Sequence, residues 1–321
     1  MSVLIFSFNA VAPMLFLTAL GWFILKRGHL DERSRDVINR ICFRYLLAFM
    51  AFHNTLSINF YEDFNARILI FCALSILAIL IVAWVTFTNI IKIEDPGRRS
   101  TFIVASYRSN NVIYAMTLAV SMFGQEGIRA AAVLIPLTII VFNFFSVIVM
   151  VHHSQNDESD HSIAAEFRRT AVDTIKNPLI VSSALGVILS LLRVELPEFL
   201  LSGIASVALT ATPMALIVLG SHLDLKLISG SLKPLMAVCT MRLVIIPAIM
   251  VPIAVLIGFR GPELGALMVI FAAPCAVTNL VMARNYKLDA NFAAQTVILS
   301  TIVSMPTMFI IISILRAMAL I

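Results

Sequence analysis

Apolar stretches of about 20 residues, long enough to cross a bilayer, follow one another along most of this 321-residue chain. Hydrophobic residues make up 60% of the sequence and charged residues only 13%, which excludes an ordinary soluble domain. We therefore predict an all-α polytopic membrane protein, embedded in the lipid bilayer by ten transmembrane helices. The predicted spans are residues 3–25, 37–55, 67–91, 101–122, 129–151, 178–192, 201–220, 233–257, 264–283 and 292–320.

The distribution of positive charge predicts the orientation of these helices. If the ten spans alternate in direction, 16 of the 23 Lys and Arg residues fall in loops on one side and five on the other. Only Arg108 and Arg242 lie inside spans. The positive-inside rule assigns the first set of loops to the cytoplasm, so both termini are predicted on the non-cytoplasmic side of the cell (inner) membrane. This pattern accounts for the net charge of +5 without a nucleic-acid partner.

Five spans in each half, with both termini on one side, mean that the two halves enter the membrane in opposite directions. Such an arrangement is an inverted repeat. We predict a first five-helix repeat over residues 1–151, a cytoplasmic linker over 152–177 and a second, inverted five-helix repeat over 178–321. The first span has no basic residue before it and no cleavage site after it, so we predict a membrane span and not a signal peptide.

The fourth span of each half is interrupted by residues that do not suit a helix in contact with lipid. The sequence RSNN at 108–111 interrupts the first, and PC at 274–275, followed by Thr278 and Asn279, interrupts the second. At the rise of an α-helix, each interruption lies roughly 15 Å from the start of its span, near the middle of a core about 30 Å thick. Non-helical backbone at this depth is tolerated only where protein or an enclosed cavity replaces lipid. Matched interruptions are typical of a transporter's substrate site, and we expect the two helices to cross there.

These interruptions supply most of the candidate binding residues. Amide and hydroxyl side chains can hydrogen-bond a ligand, half-helix N-termini favour an anion, and an arginine inside a membrane needs a partner. We expect a small organic anion, a mono- or dicarboxylate, to be bound by Arg108, Ser109, Asn110, Asn111, Arg242, Pro274, Thr278, Asn279 and Gln295. Thr296 and Ser300 are candidates for lining the same cavity. The alternatives are a simple proline kink, amides that only pack helices together, and arginines that extend to the membrane surface.

Other classes of function find less support in the sequence. No Asp or Glu lies at mid-depth in a predicted span, so we expect transport driven by the membrane potential without a buried proton relay. Four scattered cysteines without CxxC spacing predict no disulfide, metal site or cofactor. The chain has no HExxH or GxSxG motif and is not predicted to be an enzyme. A receptor or sensor that binds a ligand without moving it remains the alternative.

At these residues the chain resembles the auxin efflux carrier family, whose bacterial members include permeases for malonate and other organic acids. The resemblance covers essentially the whole chain. It rests on the segments ALGWFILKRGHLDERSRDVINRICF from Ala19, RSNN from Arg108, NPLI from Asn177, TPMALIVLGSHL from Thr212, RLVIIP from Arg242, APCAVTNLVMARNYKLD from Ala273 and STIVSMPT from Ser300.

The resemblance implies a scaffold domain and a transport domain, with Asn110 and Pro274 at a crossing of spans 4 and 9. It also implies elevator-like alternating access and a possible homodimer formed through the scaffold. The chain departs from the family pattern at Val112, Ala115 and Thr117, where glycines and a proline are usual, and at Cys275, where a second proline is expected.

Overall fold

The computed structural model describes residues 2–58, 65–152, 163–228 and 232–321, and within these ranges it contains helices and no β-strand. In the first half of the chain the helices are α1 (Val3–Lys26), α2 (Glu32–Ile41), α3 (Leu47–Leu56), α4 (Ala66–Val85), α5 (Pro96–Tyr107) and α6 (Asn111–His152). They continue with α7 (Ile163–Ile175), α8 (Pro178–Leu191), α9 (Glu198–Ser221), α10 (Leu232–Thr240), α11 (Ile246–Ile257), α12 (Gly261–Ala272), α13 (Thr278–Asn285) and α14 (Ala290–Ala317).

Polar side chains in the loops determine where several of these helices begin. The first turn of a helix has backbone N–H groups without a helical partner, and a short Ser, Asn or Asp side chain just before it can accept from one of them. Six described helices start in this way, after Ser2, Asp31, Asn65, Asp95, Asn177 and Asp289. Prolines at the first position of α5 and α8 reinforce the same starts, because they lack the N–H that would go unused.

Three helices contain or end in a short π-helical segment. Cys42–Leu46 joins α2 to α3, Thr86–Ile90 extends α4, and Met241–Ile245 joins α10 to α11. In the last case the two helices form one continuous apolar span over Leu232–Ile257. A π-helical segment rotates the side chains that follow it relative to a regular helix, and such segments are frequent at functional sites.

Six of the described helical segments are long and apolar enough to cross a membrane, so the chain is a multi-pass membrane protein. A seventh appears if α7 and α8, whose axes differ by 55°, are counted as one bent span. The described helices that are long and apolar enough are therefore fewer than the ten predicted spans. The segments α5, α12 and α13 are each too short, and α6 runs through two predicted spans with a kink at Gly124 (φ 57°). The ten-helix inverted repeat therefore stays a prediction.

Close backbone contacts hold one group of helices together. The helix α1 packs against α9, and α3 packs against both α8 and α9. A Cβ atom at Gly21 would overlap the Ile217 carbonyl, and one at Gly220 would overlap the Thr18 carbonyl. Gly186 is enclosed in the same way by α3. Small residues that allow helices to approach closely are a general device of membrane proteins, where the hydrophobic effect does not drive helices together.

The remaining helices pack around the two interrupted spans. The helix α12 lies against α6 and α11, and α14 lies against α1, α5 and α13. The Phe102 and Phe292 rings stack at a centroid distance of 4.2 Å, which joins α5 to α14. Gly265 on α12 faces the ring of Phe123 at a distance that leaves no room for a side chain. The half-helices α5 and α12 are thus almost entirely enclosed by protein, whereas α13 is partly exposed.

The predicted linker over 152–177 contains a helix that the sequence analysis did not foresee. Its last part forms α7, while residues 153–162 lie outside the described residues. The proposed domain boundaries are otherwise untouched by this finding.

The glycine contacts give a first prediction. We expect Gly220→Val to lower the apparent melting temperature in detergent by several degrees, because overpacking a close contact typically costs about 1–3 kcal/mol. Gly203→Val on the same helix is the matched control, since no atom lies within 4 Å of a Cβ placed there. Equal melting temperatures for the two variants would contradict the tight α1–α9 contact.

Candidate functional site

The two interrupted spans are joined by backbone hydrogen bonds at their interruptions. The Asn110 N–H donates to the Pro274 carbonyl (2.8 Å), and the Ala276 N–H donates to the Arg108 carbonyl (3.3 Å). These bonds form an isolated antiparallel bridge between Ser109 and Cys275. Each interruption therefore supplies partners for backbone groups that the other leaves without a helical bond, as the apolar surroundings require.

The local sequence explains where the helices stop. The helix α12 ends at Ala272, and Ala273 is extended (ψ 148°), the conformation that a residue before proline prefers. On the other segment α5 ends at Tyr107, and Arg108 is extended (φ −87°, ψ 113°). Helix resumes at Asn111 on one side and at Thr278 on the other. Two helix C-termini and two helix N-termini thus lie next to the bridge in the chain.

Arg108 is held by neutral side chains. Its Nη1 donates to the Ser146 hydroxyl (3.1 Å) and the Met282 sulfur (2.8 Å), and its Nη2 donates to the Asn143 amide oxygen (2.8 Å). The residue is only 8% exposed, and among the described residues no carboxylate forms an ion pair with it. A buried charge without a counter-charge is costly, which makes this guanidinium a candidate for binding an anion.

Arg242 has different partners. It lies in the π-helical segment between α10 and α11 and is 1% exposed. Its Nε donates to the Ala273 carbonyl (2.8 Å), its Nη1 to the Tyr107 carbonyl (3.2 Å) and its Nη2 to the Ile270 carbonyl (2.5 Å). All three acceptors are backbone oxygens at the ends of α5 and α12. Neither this arginine nor Arg108 extends to the protein surface.

Several buried polar atoms near the bridge lack a hydrogen-bond partner among the described residues. They are the Ser106 and Ser109 hydroxyls, the Asn110 amide nitrogen, and both the amide oxygen and the amide nitrogen of Asn279. A buried polar group left unpaired costs about 1–3 kcal/mol, and native proteins keep such groups few. A polar ligand inside a membrane requires hydrogen-bond donors and acceptors of this kind, and here they lie at the interruptions of the two spans.

Other predicted residues are already engaged within the protein. The Asn111 amide nitrogen donates to the Thr138 hydroxyl (2.6 Å), which ties the start of α6 to its own later turns. The Ser300 hydroxyl accepts from the Cys275 N–H (3.1 Å), a bond that a proline at position 275 could not make. The Thr296 hydroxyl donates to the Ala293 carbonyl within α14 (2.8 Å).

The last three predicted residues are Pro274, Thr278 and Gln295. Pro274 is buried and provides the carbonyl that accepts from Asn110. Thr278 opens α13 and is partly exposed. Gln295 is partly buried on α14. Binding by any of these residues stays a prediction.

Sequence reasoning missed the side chains that hold Arg108. Asn143 and Ser146 belong to the predicted fifth span and are three residues apart, so they share one face of α6. Two polar residues at this spacing in an otherwise apolar helix were a usable signal. Ser106, two residues before the interruption, was missed as well.

Known proteins resemble this chain along nearly all its length. The sequence pattern of the family described as "membrane transport protein" matches residues 6–312. An uncharacterized transporter of Methanocaldococcus jannaschii is 23% identical over 307 residues, which cover 92% of this chain and 95% of the relative. Auxin efflux carrier component 5 of Arabidopsis thaliana is 22% identical over an alignment of 334 positions, gaps included, that spans 94% of each chain. The chain therefore belongs to the auxin efflux carrier family of membrane transport proteins, which confirms the resemblance drawn from its motifs.

Proposed function

We propose that this membrane transporter carries a small organic anion, a mono- or dicarboxylate, bound where its two interrupted spans meet. The observation that carries the proposal is the group of buried, unpartnered polar atoms of Ser109, Asn110 and Asn279 beside the paired backbone. Two of these side chains supply N–H donors and one a hydroxyl, which suit the oxygens of a carboxylate.

The charges near the bridge favour a negative ligand. The N-termini of α6 and α13, which begin at Asn111 and Thr278, carry the positive ends of their helix dipoles. Arg108 adds a full positive charge whose protein partners are neutral. Because the negative ends of α5 and α12 are bound by Arg242, the field left for a ligand is positive. Asn111, Thr278, Pro274 and Gln295 would complete the walls of the site.

We infer further that the chain forms two inverted repeats of five spans, with spans 4 and 9 crossing at the bridge. In that numbering the α1–α9 contact joins span 1 to span 7, and the α3–α8 contact joins span 2 to span 6. Exchanging the two halves converts one contact into the other, which supports the repeat. Both termini would then lie on the non-cytoplasmic side of the cell (inner) membrane, and the basic loops would lie in the cytoplasm.

Alternating access would follow from motion between the two groups of helices. The group α1, α3, α8 and α9, sealed by glycine contacts, would form the scaffold and the interface of a homodimer. The remaining helices would carry the bound anion past it in an elevator-like displacement. If the protein binds the same ligand without moving it across the membrane, it is a sensor and this transport mechanism does not apply.

The membrane potential would drive the transport. Among the side chains that the structure describes, no Asp or Glu belongs to the buried set that could serve as a proton relay. The potential contributes roughly 2.3 kcal/mol per charge per 100 mV, which favours export of an anion from a cell that is negative inside.

Loss of the Asn110 amide tests the binding site. We expect Asn110→Ala to weaken carboxylate binding roughly 10- to 100-fold, because a hydrogen bond to a charged group contributes about 1.5–3 kcal/mol. The measurement is a ligand-induced thermal shift of the purified protein with malonate, malate and indole acetate. Asn9→Ala, which removes an exposed amide on α1, is the control and should bind as wild type. Wild-type binding by Asn110→Ala would exclude the site.

A flux experiment tests the driving force. In proteoliposomes with the potential clamped by potassium and valinomycin, we expect anion flux to be insensitive to an imposed pH gradient, because none of the carboxylates that the structure describes is buried where it could couple protons. Changing the potential at constant pH should change the flux. A strict requirement for a proton gradient would contradict this mechanism, and ligand binding without any flux would favour the sensor.

A further inference from the structure

We propose that Arg242 is a positioning residue that clamps the two interrupted spans together and is not a ligand of the transported anion. The clamp consists of its three hydrogen bonds to the carbonyls of Tyr107, Ile270 and Ala273. No side-chain oxygen takes part in these bonds. One guanidinium on a third span thus holds both interruptions.

The backbone at these positions needs such a partner. The last four carbonyls of a helix accept no hydrogen bond from an N–H of their own helix, and in a membrane little water is available to donate one. Tyr107 is the last residue of α5, Ile270 lies in the last turn of α12, and Ala273 follows directly after that helix. Arg242 provides a donor to each of these carbonyls. The two half-helices, from opposite halves of the chain, are therefore fixed relative to each other through α10 and α11.

The two buried arginines have different kinds of hydrogen-bond partner. Arg108 bonds to side chains that can rearrange, whereas Arg242 is 1% exposed and directs three donors at backbone that must stay in place. A positive charge at the negative ends of two helices is also the arrangement that helix dipoles favour. The clamp itself depends only on these contacts. Its consequence for anion selectivity rests on the proposed function.

Lysine cannot perform this role. The guanidinium is a rigid fork whose donors point in several directions at once, whereas the lysine ammonium is a single point charge on a flexible stem. One ammonium cannot reach three carbonyls on two helices in the geometry of the fork. An anion-binding role, by contrast, would be partly preserved in a lysine variant, because the charge remains.

Cys275 reports on the clamp without any substrate. It is fully buried in the bridge, and its sulfur donates to the Ala105 carbonyl (3.1 Å). In a protein in which Cys275 is the only cysteine, we would measure the rate of alkylation by N-ethylmaleimide in membrane vesicles. We expect Arg242→Lys and Arg242→Gln each to raise that rate about tenfold or more, because the interruption opens more often once its carbonyls are released.

Two controls make the result specific. Arg67→Gln removes an arginine that also binds a helix-terminal carbonyl, that of Ile257, but away from the bridge, and it should leave the rate unchanged. A protein that retains only Cys42, a buried residue in the segment that joins α2 to α3, should be alkylated at the same rate with and without Arg242→Lys. If the glutamine variant does not fold, the lysine variant, which keeps the charge and most of the volume, carries the test.

A wild-type alkylation rate at Cys275 in folded Arg242→Lys would overturn the clamp, and so would an equal increase at Cys42. Because no transported anion is used, a failed clamp and a failed transport proposal give different results.

Discussion

The backbone pairing between Ser109 and Cys275 is the contact on which the rest of the site depends. A helix interrupted inside a membrane exposes N–H and carbonyl groups that lipid cannot satisfy. Here the bonds from Asn110 to Pro274 and from Ala276 to Arg108 let each interruption satisfy part of the other. Polar side chains can then collect at that point without opening the protein to lipid, and a ligand site becomes possible in the middle of an apolar chain.

Electrostatics around this pairing follow from the direction of four helix ends. Two C-termini and two N-termini flank the bridge, and a positive side chain stabilises only the C-termini. Arg242 binds those carbonyls, which leaves the N-termini of α6 and α13 and the guanidinium of Arg108 available to the anion that we propose. Under the proposed function, selectivity for an anion would arise from the arrangement of backbone as much as from charged side chains.

The sequence predicted the interruptions but not what holds them. A proline at 274 and four polar residues at 108–111 are local signals, and both segments do break there. The role of Arg242 could not be read from sequence, because its acceptors are backbone carbonyls 28 to 135 positions away. The bond from the Asn111 amide nitrogen to Thr138 was also not foreseen, because it depends on how α6 kinks at Gly124. Long-range packing, and not local propensity, decides such partners.

The proposed function requires that one ligand contacts both halves of the chain at the paired interruptions. A double-mutant cycle on carboxylate affinity with Asn110→Ala and Asn279→Ala tests it most directly, since the two amides come from different halves. Residues that share one ligand are coupled by about 0.5 kcal/mol or more, whereas independent sites add within about 0.3–0.5 kcal/mol. We expect clear non-additivity in the dissociation constants. Additive losses, or no loss from Asn279→Ala, would contradict a site built from both spans.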